Sequence, residues 1–147
     1  MNYTPDEKDK KILEILEEHA DYPTRKIAKK TLLPITTVHN RITKLRKEGI
    51  IKKFTIELDY AKVDLGQLAY ILVSTNLQAL REKKRTQYDV VKEIKRLGVV
   101  RADIVSGGTD IVVIVRVKDV SAYDKFLLGK LQKIEGIDKT QTLMVIH

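Results

Sequence analysis

Apolar residues recur at helical spacing through the first third of the chain. Ile12, Leu13, Ile15, Leu16 and Ala20 make one stripe, which predicts a helix from about Asp6 to His19 with Pro5 and Asp6 suited to its start. Two shorter helix patterns follow, Thr24 to Lys30 and Thr36 to Glu48, separated by Thr31-Leu32-Leu33-Pro34. In the second of these Val38, Ile42 and Leu45 fall on one side at i, i+4 and i+7, leaving Thr36, Thr37, Asn40, Thr43, Lys44 and Lys47 opposite or flanking. Gly49 is placed to cap that helix. From Ile50 to Asp59 the chain passes into period two, with Phe54, Ile56 and Leu58 alternating against Thr55, Glu57 and Asp59, which predicts a strand with one buried face. Two helices across a tight turn, followed by a strand, read as a winged-type helix-turn-helix.

Beyond Gly66 the pattern changes to strands alternating with helices. Leu68 to Thr75 is an apolar strand, Tyr88, Val91, Ile94 and Leu97 mark a helix, and Val99 to Val105 and Ile111 to Val117 are strands joined across Ser106-Gly107-Gly108-Thr109. A further helix carries Tyr123, Phe126, Leu127, Leu131 and Ile134 inward, with Ser121 as its expected N-cap, and Thr140 to Ile146 closes the chain as a strand. The segment Gln78 to Thr86 is charged and reads as an exposed loop. The order βαββαβ fits a ferredoxin-like domain, a four-stranded antiparallel sheet with both helices on one side. The expected class is therefore α+β, organised as a helix-turn-helix domain (1–50), a hinge strand and linker (51–65) and a ferredoxin-like domain for assembly and effector binding (66–147).

The strand Ile111 to Val117 is apolar on both faces, whereas helices on one side cover only one. Its residues divide into Ile111, Val113 and Val115 on one face and Val112, Ile114 and Arg116 on the other. A charge sits more easily at an interface rim than under a helix, so the second set is expected to meet another subunit. A homodimer is the expected state, with tetramers or octamers left open. The strand Phe54 to Leu58 offers a second contact by pairing with its own copy.

Charge changes this picture most. Between Arg25 and Lys53 stand ten basic residues and one acid, Glu48, a balance of +9 in a chain whose whole net charge is +8. The positive charge is concentrated where a DNA-reading helix would sit. With 43% hydrophobic and 33% charged residues among 147, the chain can bury a core, and no apolar run approaches the ~20 residues that span a bilayer. The first ten residues lack the apolar core of a secretory signal, so a cytoplasmic location and no membrane partner are expected. There is no cysteine, and the three histidines, His19, His39 and His147, are scattered, so neither a metal site nor a cofactor is expected.

A helix entering the major groove needs small polar groups for base edges and cations for phosphates. Thr36, Thr37, Asn40 and Lys44 supply the first, Asn40 having the donor and acceptor for a bidentate contact to adenine. Arg41, Lys47, Arg25, Lys26 and Lys53 suit the second, and His39 lies to the side of that face. Each such residue alone is more often a solvated surface group, and it is the combination of spacing and charge that points to double-stranded DNA. RNA stacking on the sheet is the weaker reading, because only 5% of residues are aromatic and the third strand has none. An enzyme is weaker still, since Asp103, Asp110, Asp119 and Asp124 are ordinary strand-end and loop acids with no nucleophile beside a base.

Five segments in order give the chain a specific likeness. Asp6-Glu7-Lys8-Asp9-Lys10-Lys11-Ile12-Leu13, Thr36-Thr37-Val38-His39-Asn40-Arg41-Ile42, Leu45-Arg46-Lys47-Glu48-Gly49-Ile50-Ile51, Gly107-Gly108-Thr109-Asp110, and Gly136-Ile137 with Thr140-Gln141-Thr142 together resemble the Lrp/AsnC family, the leucine-responsive or feast/famine regulators. The likeness runs nearly end to end. It departs in the helix-turn-helix, where Pro23 and Pro34 stand in place of the family's serines and Leu32 in place of a frequent glycine. Proline offers no side-chain acceptor, so Thr24 and Thr36 are the expected substitute caps, and Leu32 would be strained if the turn needs positive φ. The hairpin Gly107-Gly108-Thr109-Asp110 is explained as a tight turn without any ligand. The resemblance implies a second role, an amino-acid site between neighbouring domains using Gly107, Gly108, Asp110, Thr140 and Thr142. It thus implies an oligomeric transcription regulator modulated by an amino acid or related small molecule, against the alternative of an effector-independent DNA-organising protein of the same fold.

Overall fold

Helix spacing in the first half and strand alternation in the second give two separate cores. The computed structural model describes residues 3–146, which fall into two compact units dividing after Leu58; Met1, Asn2 and His147 lie outside the described residues.

The first unit is built on three helices, α1 (Glu7–Glu18), α2 (Thr24–Thr31) and α3 (Ile35–Lys47). Ile12 and Leu16 of α1, Ile27 and Ala28 of α2 and Val38 of α3 close one buried cluster, the apolar stripes meeting as their spacing requires. Asp6 caps α1 by accepting from the Asp9 backbone N–H at 2.9 Å, while the Asp9 carboxylate accepts from the Asp6 N–H at 3.0 Å. The caps of α2 and α3 are corrected: Pro23 and Pro34 occupy those positions with no side-chain cap, and Thr24 and Thr36 already lie inside the helices. The fixed φ of proline, −65° and −56° here, is compatible with a helix entry without a side-chain acceptor.

Leu32 ends α2 in the left-handed conformation at φ 57°, ψ 31°, with 91% of its surface exposed. The side chain therefore adds strain without adding core. Leu32→Gly is expected to stabilise the first unit by ~1 kcal/mol, and Leu32→Val to weaken it. Denaturant midpoints of the two variants check this, and an unchanged or lower midpoint for the glycine variant would refute it.

The expected strand over 50–59 is also corrected, because no regular structure forms there among the described residues. The Ile50 and Ile51 N–H groups bond to the Leu45 carbonyl at the end of α3 rather than to a strand, no ladder partner among the described residues lies beside those that follow, and Phe54, Ile56 and Leu58 are exposed.

The second unit holds β1 (Gln67–Thr75), α4 (Leu77–Glu82), α5 (Gln87–Arg96), β2 (Arg101–Ile104), β3 (Ile111–Val117), α6 (Val120–Gly129) and β4 (Ile137–Met144). Its antiparallel sheet has the order β2-β3-β1-β4, so the two βαβ halves interleave as a ferredoxin-like fold. The core lies between one sheet face, with Ala69, Ile71, Val73, Ile111, Val113 and Val115, and Leu80, Val90, Ile94, Tyr123 and Phe126 of the helices. Val112, Ile114 and Arg116 lie on the opposite face, half-buried. There Ile114 pairs with Tyr70 and Tyr70 with Leu143, an apolar row across three strands.

Several expectations differ in detail: α6 stops at Gly129, so Leu131 and Ile134 reach the core from a following turn, and β2 is shorter than Val99 to Val105. The charged stretch Gln78 to Thr86 is a loop only after Glu82: Asn76 accepts from the Ala79 N–H at 2.9 Å and starts α4, whose Leu80 is buried. One apolar residue among charges leaves no periodicity to read. Tyr88 is 74% exposed and Val90 takes its place in the core. Asp119, not Ser121, caps α6. The last strand begins at Ile137 and ends at Met144, because pairing with β1 rather than apolar content sets its length.

Candidate nucleic-acid interface

The outer face of α3 presents Thr36, Asn40, Lys44 and Lys47 exposed and Thr37 half-buried, on a helix held from beneath by Val38 and Leu45. Arg25 and Lys26 on α2, and Lys53 after α3, are exposed as well. Six of the nine expected DNA-contacting residues therefore share α3, and this helix is rigidly seated. Thr37, Asn40 and Lys44 line a shallow concavity of about 410 Å³ together with Tyr3, Thr4 and Asp6.

Arg41 has a different setting from the phosphate contact expected of it. Its Nη1 lies 2.8 Å from both oxygens of Asp6 and 2.8 Å from Asp9 Oδ1, and its side chain is only 23% exposed. This ion pair ties the reading helix to the start of α1 and accounts for the charge structurally. Asp9 is fully buried. Burial pushes its carboxyl up, but hydrogen bonds from the Tyr3 hydroxyl, Arg41 and the Asp6 amide outweigh that and hold it below the usual range. Asp6 falls to about 2, first through the Asp9 amide and then through Arg41. The Tyr3 hydroxyl, bonded to Asp9, rises to about 12.

Three lysines of the basic segment lie over aromatic rings, Lys30 most distantly at 5.9 Å from the Tyr22 centroid. Lys26 Nζ sits 3.5 Å from the Tyr22 ring centroid, with His19 stacked on that ring at 4.1 Å between centroids, and Lys44 Nζ sits 3.8 Å from the Tyr3 ring. Sequence reasoning missed Tyr3, Asp6 and Asp9 as parts of this site. The Asp6–Asp9 spacing signals a capping box, but nothing in the sequence joins it to Arg41, 32 residues away from Asp9.

In the second unit the expected effector residues occupy one end of the sheet. Asp110 accepts from the Thr75 N–H at 2.7 Å and the Thr75 hydroxyl at 3.0 Å, and Thr109 donates to the Val73 carbonyl, so the hairpin is strapped to β1. Thr140 pairs with Val73 on the other side of β1. Its hydroxyl accepts from Gln132 at 2.9 Å, and that of Thr142 is hydrogen-bonded to Tyr123. Gly107, at φ 143°, needs to be glycine, whereas Gly108 has open space where a Cβ would stand. The carboxylate and both hydroxyls are thus occupied within the chain.

Comparisons agree with both halves. A family model described as winged helix-turn-helix DNA-binding matches residues 5–52, and one described as the Lrp/AsnC ligand binding domain matches 68–147. An HTH-type transcriptional regulator of Pyrococcus furiosus is 36% identical over 140 residues, covering 95% of this chain and 91% of that protein. The regulator FL11 of the same organism is 35% identical over 143 residues, covering 96% and 89%. Among solved structures, an AsnC family transcriptional regulator from Agrobacterium tumefaciens superposes with a TM-score of 0.80 at 29% identity, covering 97% of this chain and 91% of that one. A Neisseria meningitidis transcriptional regulator in complex with L-Met does so with a TM-score of 0.84 at 23% identity, covering 98% and 91%. With a cationic helix-turn-helix over its first third and, later in the sequence, a four-stranded domain matched by the Lrp/AsnC ligand-binding model, the chain belongs to the Lrp/AsnC family of DNA-binding transcription regulators.

Proposed function

We propose that the chain is a sequence-specific regulator in the cytoplasm that binds double-stranded DNA as a homodimer or larger assembly and responds to an amino acid or related small molecule. The observation that carries the DNA reading is the α3 face, on which Thr36, Asn40, Lys44 and Lys47 stand exposed on a helix braced by the ion pair of Arg41 with the buried Asp9. In a two-fold assembly, half-sites about one helical turn apart, ~10 bp, or a multiple of it are expected. Lys47→Ala is expected to weaken all sequences alike and to flatten the salt dependence of binding. Asn40→Ala is expected to relax preference at one base position by ~1–3 kcal/mol. Binding measured against a set of single-base operator variants tests both, and equal loss on every sequence for Asn40→Ala would remove its role as a reader.

Assembly is supported by the apolar row Ile114, Tyr70 and Leu143 on the helix-free sheet face and by the unpaired apolar stretch Phe54 to Leu58. Ile114→Glu places a charge in that row without touching the helix-side core. It is expected to give monomers by light scattering, while an unchanged assembly would move the interface elsewhere. Effector binding is supported by the match to a ligand-binding domain and by the glycines Gly107 and Gly108, which leave the hairpin amides open to a carboxylate. The Neisseria meningitidis protein holds L-Met. Against this, Asp110, Thr140 and Thr142 already have partners, which favours the second reading, a DNA-organising protein without effector. Calorimetry against the twenty amino acids, on the wild type and on Thr140→Val with Thr142→Val, decides between them when read beside DNA affinity and assembly. No heat, with unchanged assembly and DNA binding, would leave the hairpin as a turn.

A further inference from the structure

From the buried carboxylate of Asp9 a chain of contacts runs outward to the reading face. The Tyr3 hydroxyl is bonded to Asp9, which is itself held by Arg41, so the ring is anchored at its polar end. Lys44 Nζ lies over that ring at 3.8 Å from its centroid, and Tyr3, Thr37, Asn40 and Lys44 share the wall of one concavity. A lysine side chain in water has four flexible torsions to restrain before its ammonium meets a phosphate or a base. A ring beneath it restrains them in advance and leaves the far side of the ammonium free, Lys44 being exposed. The local charge is compatible with this. Asp6 and Asp9 bring two negative charges beside the reading helix, Arg41 returns one positive, and Lys44 is a further cation on the wall of the same concavity.

We infer that Tyr3 is a positioning residue for DNA recognition: its ring, pinned through Asp9, holds Lys44 in the orientation in which it meets DNA. This rests on the reading of α3 as the DNA-contacting helix. A cation–π contact of this exposed kind corresponds to about a 2- to 5-fold change in affinity.

The test is a double-mutant cycle on DNA affinity in the full-length protein, with Tyr3→Leu, Tyr3→Phe, Lys44→Ala and the Tyr3→Leu/Lys44→Ala pair. Thermal melts show which variants remain folded. Tyr3→Leu is expected to weaken binding about 2- to 5-fold in the wild-type background and to have no effect once Lys44 is alanine, while Tyr3→Phe, which keeps the ring, loses less. A loss of equal size in both backgrounds, or none in the wild type, would overturn the inference. The placement has its own readout without DNA: the Lys44 side-chain protons are expected to carry a ring-current shift in the proton NMR spectrum that Tyr3→Leu abolishes, and its absence would also overturn the inference. If that shift is present but Lys44→Ala leaves DNA affinity unchanged, the reading of this face fails and takes the role of Tyr3 with it.

Discussion

Replacing Gly136 by alanine is expected to destabilise the second unit by ~2–4 kcal/mol, among the largest effects of any single methyl group in this chain. Gly136 has φ 98°, and a Cβ there would lie 2.2 Å from Leu80 Cδ2 and 2.9 Å from Leu80 Cγ. Leu80 cannot swing aside cheaply, because it is 2% exposed in the core and α4 is fixed by the Asn76 cap and by the Asn76 N–H to Gly136 carbonyl bond at 2.9 Å. Both backbone strain and overpacking therefore act at once. Leu80→Ala makes room but leaves a cavity, so the double variant is expected to be less unstable than the two single losses added together. Urea denaturation of the three variants decides this. A Gly136→Ala protein with wild-type stability, or strict additivity with Leu80→Ala, would mean that α4 yields.

Asp9→Ala is expected to cost the first unit ~2–3 kcal/mol and to weaken DNA binding with it. Removing the carboxylate leaves Arg41 without its buried partner and frees the Tyr3 hydroxyl. Arg41 keeps Asp6 and part of its surface in water, which holds the loss below that of a fully buried pair. The pH dependence follows from the same contacts. Asp6 is lowered from 3.8 to about 2 and Asp9 is lowered as well, so the unfolded chain takes up protons before the folded one. Their stabilisation is fully present above about pH 4 and is lost as pH falls toward about 2. Asp9→Asn should therefore show a shallower acid loss than the wild type, although it is the less stable of the two at neutral pH. Denaturant midpoints measured from pH 7 down to pH 3 check this, and parallel acid curves for the two proteins would show that the clamp does not set the acid limit.

Neither effect is visible in a hydrophobic pattern, and the reason is the same for both. Periodicity reports which residues share a face of one element, so it found α1, α2, α3, α5, β1 and β3 close to their observed ends, and it separated Ile111, Val113 and Val115 from Val112, Ile114 and Arg116. It also identified the cationic outer face of α3, because a charged face is the complement of an apolar stripe. Strain at Leu32 was legible only conditionally, from the family's frequent glycine at that place, and the left-handed φ of 57° meets the condition.

What the tertiary structure decided are the pairings between distant segments. Arg41 reads from the sequence as a surface cation, but Asp6 and Asp9 lie against it; Thr140 and Thr142 read as available hydroxyls, but Gln132 and Tyr123 engage them, and the sequence does not identify Thr75 as the partner of Asp110. Leu80 had no stripe to belong to and is core only because the backbone of Gly136 leaves it room. The strand expected over 50–59 failed for the converse reason: its alternation is real, but a strand exists only with a neighbour to bond. Local sequence determines the propensity and the face of each element. Burial, hydrogen bonding and charge neutralisation are settled between elements, and those terms decide which polar residues remain available to a partner.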